Sequence, residues 1–110
     1  MVEHKVAIVI PAFNEEHTIA KVVRSLTCFG TVFVVDDGSE DKTAKIAKEN
    51  GAVVIYHEKN NGYDSALNTG FNKAFGIKSD AVITIDADGQ HDLGLVKEYI
   101  YKLANGADLV

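Results

Sequence analysis

Two aspartates separated by a single alanine, Asp86-Ala87-Asp88, follow directly on the apolar run Ala81 to Ile85. That spacing lets both carboxylates reach out from a strand end towards one ion, directly or through water. Oxygen donors suit Mg²⁺ or Mn²⁺, which are typically held by one or two carboxylates while substrate phosphates complete the shell. Gln90 is placed to add a carbonyl oxygen. A second acidic pair, Asp36-Asp37, precedes Gly38 and Ser39. Gly38 suits a tight turn, and Ser39 or Asp41 can cap a helix running from Lys42 to Asn50. Asp37 is left to accept hydrogen bonds from the N–H groups of a nucleobase or from ribose hydroxyls. The third cluster is Pro11-Ala12-Phe13-Asn14-Glu15. There Pro11 ends the first strand, Phe13 is free to lie against a base or sugar, and Glu15 can accept hydrogen bonds near the rim. Glu16 is assigned only to the dipole of the helix that follows.

These clusters need a scaffold that brings them together, and the apolar pattern supplies one. Short runs rich in Val and Ile cover Val6 to Ile10, Thr31 to Val35, Ala52 to Tyr56, Ala81 to Ile85 and the stub Ala107 to Val110. They are mostly continuous rather than alternating, as strands buried on both faces are. Segments with helical spacing lie between them, carrying Ile19, Val22, Val23 and Leu26, then Ala44 and Ala47, then Tyr63 to Phe75, then Leu93 to Leu103. Gly30, Gly51, Gly76 and Gly106 are expected as left-handed residues just past helix ends. Strand and helix therefore alternate, predicting an α/β three-layer sandwich on a mainly parallel sheet. In such a sheet the carboxyl ends of the strands share one edge, where ligands bind. All three polar clusters stand at those ends.

Composition narrows the classes. The 110 residues, 46% apolar and 25% charged, suit one soluble domain with a modest core. The net charge of −5, with Lys and Arg scattered, disfavours nucleic-acid binding. A dinucleotide-binding Gly-x-Gly-x-x-Gly is missing after the first strand, which argues against a dehydrogenase. A sugar-phosphate nucleotidyltransferase is the nearest alternative enzyme, but it would want a basic, Gly-rich triphosphate loop where Pro11 to Glu16 is acidic. A non-catalytic nucleotide-binding or assembly module is the alternative of another class. The apolar run before Pro11 is too short for a signal peptide or membrane span, so a cytoplasmic chain is expected. Cys28 is read as a buried or half-buried structural thiol, His57 and His91 as solvated loop residues with His91 a minor ligand candidate, and Gly70 as a packing residue. The strand stub at Ala107 leaves an open sheet edge, from which self-association is expected.

Taken together, Ile10 to Glu16, Val35 to Ser39 and Asp86 to Asp92, with Gly62 to Gly70 before the third helix, resemble family 2 glycosyltransferases, especially dolichyl- or polyprenyl-phosphate sugar synthases. The resemblance spans almost the whole chain, in the family's order and spacing. It implies a GT-A fold, a UDP- or GDP-sugar donor, a divalent metal and inversion at the anomeric carbon, with a lipid phosphate or glycan as acceptor. By position it puts Pro11, Phe13, Glu15 and Asp37 around the nucleoside, and Asp86, Asp88 and Gln90 at the metal and diphosphate. It also implies that the acceptor-binding segment and any general base lie beyond the fifth strand. Residues 1–110 are accordingly expected to be the donor-binding part of a larger domain, cut at its C-terminus and inactive alone.

Overall fold

The computed structural model describes residues 5–77 and 81–88. Within them the chain forms β1 (Val6–Ala12), α1 (Ile19–Leu26), β2 (Thr31–Asp37), α2 (Thr43–Glu49), β3 (Val53–His57), α3 (Tyr63–Gly76) and β4 (Ala81–Thr84). The strands make one parallel sheet in the order β3-β2-β1-β4. The expected fourth helix, fifth strand, Gly106, Gln90 and His91 lie outside the described residues.

Every residue of β1 is buried, because the strand sits between β2 and β4 and under helices on both faces. Val6, Ile8, Ile10 and Ala12 share a core with Val32 and Val34, the apolar stripe of α1 (Ile19, Val22, Val23, Leu26) and Ala47 of α2. The alternate residues point the other way: Ala7 and Phe33 meet Ala74, and Val9 and Val35 meet Ala66, both alanines on α3. Side chains two apart share a face of a strand, so the three layers are α1 and α2, the sheet, and α3. Each fully buried Val or Ile in such a core contributes about 1.5–3 kcal/mol relative to exposure.

Several local expectations change. Pro11 does not end β1; the strand runs on to Ala12, with Pro11 opposite Val35. Val9 turns its carbonyl towards β4 and accepts the Ile85 N–H at 3.1 Å. Pro11 faces the same side, where β4 has finished pairing, so its missing N–H costs the ladder nothing. Cys28 is exposed, since it follows the Thr27 C-cap of α1 and its turn faces solvent. Among the glycines named above, Gly51 has the expected positive φ of 103°. Gly30 does not, and a Cβ there would strike the Val6 carbonyl oxygen. Gly76 closes α3 from inside the helix.

Gly70 is the packing residue that lets α3 lie close on β1. A Cβ built there would collide with Val9 Cγ1 and stand 3.2 Å from Cγ2. Nothing lies within 4 Å of the equivalent position at Gly76. Alanine gains about 1 kcal/mol over glycine in a helix, whereas overpacking a core costs about 1–3 kcal/mol. Gly70→Ala should therefore lower stability by on the order of 1–2 kcal/mol in urea unfolding, while Gly76→Ala should leave it unchanged or raise it. Equal effects of the two would contradict this packing.

Candidate functional site

The alternation that builds the core also aims the polar clusters. Val35 points to the α3 face, so Asp37 does too, whereas Asp36 points with Val34 towards the α1 and α2 layer. Ile83 on β4, and Ile85 and Ala87 past its end, join the core on the α1 side, and Asp86 and Asp88 are exposed on either side of a buried Ala87. The result is a cleft of about 360 Å³ at the carboxyl edge, lined by Pro11, Phe13, Glu15, Asp37, Asp86 and Asp88, with Asn60, Gly62, Tyr63 and Ala66 closing it from the α3 side. A larger groove of about 630 Å³ lies between α2 and β3. It is bordered by Asp36, Lys42, Lys45 and Glu58 and by no residue of β1 or β4, so it collects neither the aspartate pair nor the aromatic.

The Asp86–Asp88 segment is held at its middle. Ala87 is 4% exposed, and its carbonyl accepts the Thr18 hydroxyl at 2.6 Å. Both carboxylates are thus displayed by a backbone fixed from behind. Tyr63 borders the cleft together with Asp86; partial burial first, then the Asp86 charge, with the Asp64 charge last, raise the phenol above its ordinary value. Phe13 keeps 43% of its surface exposed although it is apolar, the exposure a stacking surface needs. Asp86 and Asp88 form an oxygen-only pair suited to a hard divalent ion. Among the described residues no cluster of three or more His, Cys, Asp or Glu side chains converges on one point, so two carboxylates are what the described protein offers.

Asp37 is the most heavily bonded acid of the site. Its Oδ1 accepts the Asn61 N–H at 2.9 Å and meets His57 Nδ1 at 2.8 Å, and its Oδ2 accepts the Gly62 N–H at 2.9 Å. Burial alone would raise its pKa, but the bonds from Asn61, His57 and Gly62 outweigh it and hold the carboxyl below its ordinary value. A carboxylate has about four acceptor directions, so one remains, on Oδ2. Gly38 lies in the same knot: its φ is 76°, and a Cβ would stand 2.6 Å from the Asn60 nitrogen.

A second knot joins the loops after β1 and β2. Asn14 N–H donates to Ser39 Oγ, Glu40 N–H to Asn14 Oδ1, Glu15 N–H to Thr43 Oγ1, Glu16 N–H to Asp41 Oδ2 and Lys42 N–H to Glu16 Oε2. Asn14 adopts a left-handed φ of 53° to make its share. Asp41 accepts the Thr43 N–H and hydroxyl from one residue ahead of the Lys42 N-cap of α2, which has no side-chain cap of its own. Ser39 is spent on Asn14 instead, and Glu16 serves the start of α2 rather than only the dipole of α1. His57 is the residue that the sequence reading missed. Its side chain is 11% exposed, with Nε2 2.8 Å from Thr69 Oγ1, not solvated. The available signal was its place at the end of β3, in register with Asp37.

Asp37 generates a pH prediction. An aspartate in the unfolded chain titrates near about 3.9, and the native value is lower, so the stabilisation is complete above that range and is lost as pH falls through the native value. Urea unfolding should show Asp37→Asn less stable than wild type at pH 7, with the gap closing as pH falls below the ordinary aspartate range. A gap independent of pH would exclude the carboxylate charge as the cause.

The family model for glycosyl transferase family 2 matches residues 7–110. An uncharacterised protein of Methanocaldococcus jannaschii is 46% identical over 79% of this chain and 37% of its own length. The UDP-N-acetylglucosamine–dolichyl-phosphate N-acetylglucosaminyltransferase of Methanococcus voltae is 35% identical over 96% of this chain and 49% of its own. This chain thus spans less than half the length of either relative. Among solved structures, glucosyl-3-phosphoglycerate synthase from Mycobacterium tuberculosis, in complex with Mn²⁺, UDP-glucose and phosphoglyceric acid, superposes with a TM-score of 0.74 at 29% identity, covering 94% of this chain and 40% of that one. With the cleft at the carboxyl edge of its parallel sheet and a family match across nearly all of its length, the chain belongs to glycosyl transferase family 2.

Proposed function

We propose that this chain is the donor-binding part of an inverting, metal-assisted glycosyltransferase that takes its sugar from a nucleoside-diphosphate sugar and passes it to a lipid phosphate. The observation that carries the reading is the convergence of Phe13, Asp37, Asp86 and Asp88 on one cleft. Phe13 offers a face to the base or sugar, and the remaining acceptor direction of Asp37 takes an N–H or hydroxyl of the nucleoside. Asp86 and Asp88, with Gln90 following in the sequence, would hold Mg²⁺ or Mn²⁺, and the ion would supply positive charge that offsets the negative charge of the departing nucleoside diphosphate. Pro11 and Glu15 border the nucleoside side.

The dolichyl-phosphate substrate named for the Methanococcus voltae relative supports a lipid acceptor, and the UDP-glucose and Mn²⁺ of the mycobacterial complex support a uridine donor with a metal. A cytoplasmic place, at the membrane face, goes with such an acceptor. Among the described residues no helix is long and apolar enough to cross a membrane. Association of two copies across an open sheet edge is part of the same proposal.

Calorimetric titration tests the donor site. UDP should bind in Mn²⁺ and weaken by about tenfold or more in chelator, the equivalent of about 1.4 kcal/mol. Asp88→Ala, an exposed position, should fold normally and lose the metal-dependent part; GDP run in parallel identifies the base. Tight UDP binding indifferent both to metal and to Asp88 would refute the metal assignment.

A further inference from the structure

Asp37, which lines the cleft, begins a continuous chain of side chains: Asp37 on β2, His57 at the end of β3 and Thr69 on α3. We propose that His57 is a positioning residue for donor binding, clamping Asp37 so that Oδ1 is spent inside the protein and Oδ2 keeps its one open direction towards the nucleoside. This rests on the donor-site reading of the cleft and adds a residue that does not itself line it.

Chemistry fixes the tautomer. The Asp37 carboxylate accepts only, so the ring nitrogen 2.8 Å from it must carry a proton. In the neutral ring Nε2 is then bare, and it accepts the Thr69 hydroxyl. His57 thereby ties the orientation of the carboxylate to the second turn of α3. The same carboxylate receives the N–H groups of Asn61 and Gly62, so the segment entering α3 is fixed by the anion that His57 orients. Gly62 and Tyr63 at the end of that segment line the cleft together with Asp86. One imidazole therefore sets both the acceptor direction offered to the nucleoside and the position of the phenol beside the aspartate pair.

The alternative is a histidine that only fills space, and side-chain replacements separate the two. Asparagine at this position brings an amide N–H roughly to where Nδ1 stands, restoring the bond to Asp37 without the bond to Thr69. Glutamine carries its amide one carbon further, towards Thr69, and leaves Asp37 unserved. Loss of a hydrogen bond to a charged group should weaken UDP binding by about tenfold. We expect that loss in His57→Ala and His57→Gln and most of the affinity back in His57→Asn, all measured in Mn²⁺ on protein shown to be folded. Amide hydrogen exchange at Asn61 and Gly62 should quicken in the alanine variant, and ¹⁵N NMR of the wild-type ring should show the proton on Nδ1. Unchanged UDP affinity in His57→Ala, or equal loss in all three variants, would overturn the proposal.

If wild type binds neither UDP nor GDP, the donor reading fails by itself. The clamp is then judged by exchange and tautomer alone: unaltered exchange at Asn61 and Gly62, or a proton on Nε2, overturns it, and the reverse supports it.

Discussion

The burial of β1 on both faces is the constraint from which everything else follows. A strand with a helix layer above and below it cannot slip by one residue, because Ile8 and Ile10 would exchange places with Ala7 and Val9 and neither core has room for the swap. With β1 fixed, the registers of β2 and β4 against it are fixed as well. The side to which each residue past the strand ends points is then no longer free. Asp37 faces the α3 side for the same reason that Val9 and Val35 do, and the end of β4 brings Asp86 and Asp88 to the same cleft. The cleft is a by-product of core packing, extended beyond the sheet edge.

What surrounds the cleft is held by polar bonds rather than by apolar contact. The loops after β1 and β2 are joined through Asn14, Glu15 and Glu16 on one side and Ser39, Asp41 and Thr43 on the other. The segment before α3 hangs on Asp37. A hydrogen bond contributes only about 0.5–1.5 kcal/mol net, but leaving a buried carboxylate or amide without a partner costs about 1–3 kcal/mol. These knots therefore specify loop geometry more than they add stability. Side chains that look like ligand contacts in the sequence are in several cases already occupied. Asp36 accepts the Ser39 N–H, and most of the capacity of Asp37 is used internally.

The strands and helices were legible because their signals are local. Runs of Val and Ile in β1 and β2, and the spacing of Ile19, Val22, Val23 and Leu26 in α1, need no knowledge of partners. The shared edge of Asp37, Asp86 and Asp88 was legible as well, since it follows from parallel topology. The roles of His57, Glu16 and Ser39 were not, because their partners lie 12 to 26 positions away and are chosen by which loops the sheet brings side by side. Pro11 was misjudged for a related reason. Whether a proline ends a strand depends on which neighbour its nitrogen would have addressed, and here β4 stops before reaching it.

Thr18 stands at the N-cap of α1 but gives that helix no side-chain cap, its hydroxyl being engaged with the Ala87 carbonyl. The start of α1 and the turn between the two aspartates are thereby joined in one opening unit. Fraying of the first turn of α1 releases Ala87, and detachment of the β4 end frees Thr18 to cap its own helix. Any ligand that orders the aspartate turn would slow amide exchange in the first turn of α1, on the far side of the sheet from α3, as a cooperative unit that opens and closes together.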